Sequence, residues 1–178
     1  MKLQIKHSFI WVVLLSLLGI ASCSQTASYH VTPAAQTEIR QNQLLAQIRA
    51  AGVQVIQQGT RLQMVLPVNR FFETTTTQIK PRQFTTLQRL SRYVQTYTQQ
   101  YPTRYPIKVY GYTDRVYARK HRKYLSTQYA QVIAAFLWDH GFSSNQLRVT
   151  GYGALRPIAS ERTPRGAAYN RRVVIQVN

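Results

Sequence analysis

Acidic residues are scarce in this chain. Glu38, Glu73, Asp114, Asp139 and Glu161 are the five, against 23 Lys and Arg, for a formal net charge of +18. No two of them can be argued into the flanking carboxylates of a glycosidase. Cysteine occurs once, at Cys23, which excludes a disulfide within the chain. His7, His30, His121 and His140 show no metal-ligand spacing. These shortages argue against an enzyme, a metal site or a cofactor. Long apolar runs are also missing. The longest, Phe9 to Leu18, is too short to span a bilayer comfortably.

What is present begins with that run. It follows a basic start, Met1-Lys2-Leu3-Gln4-Ile5-Lys6, and ends in small residues, the pattern of a secretion signal. Ile20-Ala21-Ser22-Cys23 resembles a lipobox, in which the thiol is acylated and becomes the new N-terminus. The resemblance implies a signal peptide over 1–22, a lipidated (palmitate-bearing) Cys23 and a Ser, Thr, Ala and Gln-rich tether over 23–37. Ser24 after the cysteine implies sorting to the outer membrane, with the domain facing the periplasm. Several acyl chains would hold the protein stably on that lipid. Removing Lys2 and Lys6 with the signal still leaves a strongly positive chain. Such a surface collects anions, and export makes nucleic acid the least expected of them.

The expected domain covers 38–178. Glu38 to Ala51 reads as a short amphipathic helix ending at Gly52. Val53–Gln57 and Leu62–Leu66 alternate around Gly59-Thr60, a hairpin signal, and Pro67 ends the second strand. Phe71 to Lys80 reads as a polar loop. Pro81 opens a helix with Phe84, Leu87, Leu90, Val94 and Tyr97 on one stripe. Ile107–Tyr110 is a strand, followed by a basic loop and a helix opening at Leu125-Ser126. Leu147–Val149, a short helix over Pro164–Asn170 and a last strand over Arg172–Val177 complete the pattern. This order predicts an α+β fold, a mixed β-sheet with helices packed on one face.

Three motifs stand at the ends of these elements. Gly111-Tyr112-Thr113-Asp114 closes a strand, and Leu125-Ser126 lies eleven residues after the Asp. Gly151-Tyr152-Gly153 is followed by Arg156-Pro157-Ile158, and Asn170-Arg171-Arg172-Val173 opens the final strand. In this order they resemble the OmpA-like peptidoglycan-binding domain, most strongly over 53–178. The resemblance implies non-covalent binding of peptidoglycan through the diaminopimelate of its stem peptide. Thr113, Asp114, Leu125, Tyr129, Asn170, Arg171 and Arg172 become the candidate binding residues. Asp114 would take the ligand ammonium; the alternative is a turn residue or a cap for the following loop and helix.

The chain departs from the family at several positions. The helix Arg that should take the ligand carboxylate is Tyr129, and a phenol carries no charge. The motif His is Tyr112, a usual Gly is Tyr117 and a usual Asn is Arg122. The missing cation can come from the basic run, Arg115, Arg119, Lys120, Arg122 or Lys123, or from Arg171 or Arg172. The run itself reads as a patch for phosphates or an acidic protein, or as a solvated loop. A small basic lipoprotein with this layout also resembles a component of a type IVB secretion apparatus. That implies the same fold used to dock envelope proteins, with weak or no wall binding.

Overall fold

The computed structural model describes residues 32–177 apart from Thr75, Thr103 and Tyr117. The expected signal peptide, Cys23 and most of the tether lie outside the described residues, as does Tyr117.

The chain runs α1 (Pro33–Ala50), β1 (Gln54–Gln58), β2 (Arg61–Pro67), α2 (Val68–Phe71) and α3 (Phe84–Gln100). It continues through β3 (Ile107–Tyr112), α4 (Arg119–Asp139), β4 (Leu147–Gly151), α5 (Pro164–Asn170) and β5 (Arg172–Val177). The strands form one sheet in the order β1-β2-β5-β3-β4. Only β3 and β4 are parallel, joined by α4 as a crossover helix. The sheet is therefore mixed, as the pattern of elements predicts.

Register explains the layering. Val55, Met64, Ile175, Val109 and Val149 form one row across all five strands. Met64, Ile175 and Val109 are fully buried against the helices. The neighbouring row, Gln63, Gln176, Lys108 and Arg148, faces the other way and is partly or fully exposed. Period-two alternation thus gives the sheet one apolar face. Leu87, Leu90, Val94 and Tyr97 of α3 and Ile133 and Leu137 of α4 cover it. Phe84 starts the α3 stripe but is 44% exposed, with its ring 6.1 Å from that of Phe136.

The hairpin follows expectation, with Gln58 opposite Arg61 across Gly59-Thr60. Two boundaries differ from the sequence reading. The first helix begins at Pro33, so residues 33–37, assigned to the tether on composition, are helical; Pro suits a first turn because its missing N–H has no partner there anyway. The basic run, expected as a loop, forms the first turns of α4, which opens at Arg119 rather than Leu125. Arg and Lys are good helix formers. The apolar periodicity marks only the part of the helix that touches the sheet.

Phe71 to Lys80 is also more structured than a polar loop. Phe71 and Phe72 are buried, and Phe72 bridges Ile79. The segment therefore packs down beside α4 and becomes one wall of the site.

Candidate functional site

Helix α4 meets the sheet at Ser126. A β-carbon on Gly111 would lie 1.8 Å from the Ser126 carbonyl oxygen, and one on Gly151 would lie 2.1 Å from Thr127 Oγ1. Only glycine allows that approach. Ser126 Oγ donates to the Lys123 carbonyl at 2.9 Å and accepts from Gly153 N–H at 2.9 Å. Thr113 N–H donates to the Gly153 carbonyl at 2.8 Å. The end of β3, the start of the packed part of α4 and the turn after β4 are thereby locked together. This is the physical content of the Thr-Asp to Leu-Ser spacing.

Asp114 leaves β3 at this junction and is 1% exposed. Its Oδ1 accepts the Val116 N–H at 3.2 Å, an Asx turn that fixes the carboxylate. Its Oδ2 is ion-paired and hydrogen-bonded to Nη1 of Arg171. Arg171 is the C-cap of α5, and its carbonyl accepts from Val68 N–H at 3.0 Å. The side chain of Arg171 remains 31% exposed, so the pair has one buried and one wet member.

Beside the pair lies a cavity of about 240 Å3. Asp114, Val116, Leu125, Tyr129 and Arg171 line it, together with Val68, Asn69, Phe72, Glu73 and Thr74. Four of the sequence candidates therefore share one cavity. The sequence reading missed the wall from α2 and the following loop, including Glu73. The signal available for that wall was Phe71-Phe72, an apolar pair in a polar stretch.

Tyr129 is 5% exposed and packs on Phe72 with ring centroids 4.7 Å apart. It fills space that a longer, charged side chain would otherwise cross. Of the two cations proposed from the final motif, Arg171 reaches the cavity. Arg172 does not line it. Its guanidinium stacks 3.8 Å from the centroid of Tyr112 and donates to the carbonyls of Asn170 and Arg156 at 3.1 and 3.0 Å. Burial pulls that guanidinium below its usual range, with the Tyr112 phenol acting in the opposite sense. Tyr112, standing where the family has His, lies in this stack with Tyr152 at 5.3 Å. Burial pushes its phenol up, against the influence of Arg172.

Asn170 is committed to the backbone of the preceding loop. Its Oδ1 accepts from Ile158 N–H at 2.8 Å and Ala159 N–H at 3.0 Å, and its Nδ2 donates to the Ala159 carbonyl at 2.9 Å. Thr113 is buried, its hydroxyl without a hydrogen-bond partner among the described residues.

The basic residues line a different recess. Arg115, Arg119, Lys120, Arg122 and Lys123 border a cleft of about 960 Å3 on the far side of the loop that carries Asp114. Arg115 pairs with Glu161 at 3.0 Å. None of the five lines the Asp114 cavity. Among the described residues, no group of His, Cys, Asp and Glu is arranged to hold a metal ion, and no helix is long and apolar enough to cross a membrane.

Known proteins resemble this chain in sequence and fold. The chain is 29% identical over 141 residues to "Probable lipoprotein YiaD" of Escherichia coli, covering 79% of this chain and 62% of that one. It is 39% identical over 72 residues to "Peptidoglycan-binding protein ArfA" of Mycobacterium tuberculosis, covering 40% of this chain and 22% of that one. The chain thus spans about three fifths of the first relative and about a fifth of the second. The solved cell wall anchor of the type VI secretion system from Pseudomonas aeruginosa superposes with a TM-score of 0.65 at 21% identity, over 76% of this chain and 94% of that one. That likeness fixes the fold. The OmpA family model matches residues 71–171. That span holds the α2 end, the Asp114 loop, the packed part of α4 and Arg171, and on it the chain belongs to the OmpA family.

Proposed function

We propose that this chain is the wall-binding domain of an outer-membrane lipoprotein. It holds peptidoglycan non-covalently through the diaminopimelate of the stem peptide and so anchors an envelope assembly to the wall. The observation that carries this reading is the Asp114–Arg171 pair at the edge of the cavity. Diaminopimelate presents an ammonium and a carboxylate on one carbon. A site for it needs an anion and a cation a few ångströms apart, and charge-assisted hydrogen bonds are roughly twice as strong as neutral ones. In the empty domain Asp114 and Arg171 satisfy each other. An inserted zwitterion replaces that one pair with two, ammonium on Asp114 and carboxylate on Arg171. Glu73 at the cavity wall adds a second anion for the ammonium.

The cation lost at Tyr129 is thus supplied from the strand side rather than from the helix. Membership of the OmpA family and similarity to a relative named for peptidoglycan binding support the reading. The lipid anchor rests on Cys23 and its flanking residues.

The test is retention of the soluble domain on purified sacculi. Retention that free diaminopimelate competes away, and that Asp114→Ala removes, supports the proposal. A domain that ignores sacculi but co-purifies with envelope proteins overturns it and leaves the docking role in a type IVB secretion apparatus. Incorporation of labelled palmitate that stops on Cys23→Ser tests the anchor.

A further inference from the structure

The cleft beside α4 is built differently from the Asp114 cavity. Its floor is rigid. Gly153, at φ +58, lies against the backbone of Arg122 and Lys123, and it is tied to both Ser126 and Thr113. Its walls carry Arg119, Lys120, Arg122 and Lys123, and the first turn of α4 contains no acidic residue. Glu161, the nearby acid, is taken by Arg115. Among the described residues these cations are therefore held together without a compensating anion, and Arg122 Nε is buried with no hydrogen-bond partner.

The cleft is also apolar in part. Tyr124 is 60% exposed and Leu155 is 65% exposed, and both line it with Tyr152. Large apolar groups left in water inside a cationic recess mark an interaction site rather than a solubilising face. Arg156 covers the Tyr152 ring at 4.8 Å, which holds that platform in place.

We infer that this cleft is a docking site for an acidic peptide segment of a protein partner, one that carries aromatic or aliphatic side chains among its carboxylates. The charge calls for an anion. The concave shape, at about 960 Å3, suits an inserted chain better than a flat bilayer. The exposed Tyr124 and Leu155 give the apolar side chains of such a segment something to bury against, which a plain polyanion does not need. Interface chemistry of this kind, charges around an aromatic anchor, gives both steering and specificity. The proposal is independent of wall binding. Asp114 and Val116 face one recess and Arg115 the other, so the domain can hold both ligands at once.

The experiment uses the soluble domain and a fluorescent synthetic peptide of alternating glutamate and tyrosine. Polyglutamate and phosphatidylglycerol vesicles serve as competitors, and anisotropy is the readout. The peptide should bind with an affinity that weakens as salt rises. Lys120→Glu with Lys123→Glu should weaken it by about tenfold or more. Leu155→Ser, an exposed position that leaves the fold intact, should weaken it several-fold. Asp114→Ala should leave it unchanged. Polyglutamate binding as tightly as the peptide, with no effect of Leu155→Ser, overturns the proposal in favour of a nonspecific polyanion surface. Vesicle binding that the peptide cannot displace overturns it in favour of a membrane surface.

Discussion

Asp114 and Arg171 are 57 residues apart in sequence and form an ion pair in which the acid is almost wholly buried and the base is not. That asymmetry gives the two partners different costs on removal. Arg171→Gln strands a buried carboxylate, which should cost about 3 kcal/mol or more. Asp114→Asn keeps the Val116 hydrogen bond and frees a guanidinium that can turn to water, so about 1 kcal/mol is expected. Urea unfolding of both single variants and the double variant checks this. The double variant should be less destabilised than the sum of the singles.

Tyr129→Arg would put a second cation at the Asp114 cavity. Affinity for diaminopimelate should rise about tenfold, read by titration calorimetry. The lost packing on Phe72 should lower stability by about 1 kcal/mol. A fall in stability with no gain in affinity would show that Arg171 already saturates the ligand carboxylate.

Gly111→Ala should lift α4 from the sheet. The new methyl meets the Ser126 carbonyl at 1.8 Å, a backbone group that cannot swing aside. A loss of roughly 3 kcal/mol is expected from such overpacking. Thermal unfolding reads it, and sacculus retention should fall with it because Leu125 and Asp114 move apart.

Asn170→Ala separates a bracing role from a binding role. It removes three hydrogen bonds to Ile158 and Ala159. About 2–3 kcal/mol of stability should go, whereas retention on sacculi, normalised to folded protein, should not change. A drop in retention with stability intact would make Asn170 a ligand contact.

Alkaline pH should unfold the domain earlier than its charge alone would. Burial raises Tyr93, Tyr97, Tyr110 and Tyr112 above the ordinary phenol value of 10.0. A group whose folded value is raised contributes stability that is complete below the unfolded value and lost as pH climbs through the folded one. The contribution of these tyrosines should thus be constant up to about pH 10 and be lost above it. Phenolate absorbance and circular dichroism should change together.

Much of the fold was legible because alternation and helical stripes coincide with burial. The strands from Leu62 to Leu66 and from Arg172 to Val177 show alternation or an apolar run that their core contacts explain. The start of α4 was not legible, because Arg119 to Tyr124 overhang the sheet and leave no apolar period to read. Half of the site was legible through spacing, since Asp114 and Leu125 are fixed by the glycine contact at Ser126. The source of the cation was not. Arg171 and Arg172 are adjacent and chemically identical, and the turn out of α5 into β5 alone decides that one reaches the cavity and the other stacks on Tyr112. Glu73 was hidden for a similar reason: its loop is anchored by two phenylalanines whose burial depends on α4.

Strand β5, last of the five in sequence, sits in the middle of the sheet between β2 and β3. Until it is in place, the hairpin on one flank and the crossover unit on the other have no strand in common. The sheet is therefore completed only when its last strand in sequence takes the central place. The carboxylate at the end of β3 waits for its guanidinium until that same moment. A chain lacking β5 cannot assemble the Asp114–Arg171 cavity, and cutting away β5 should remove the central strand that joins β2 to β3.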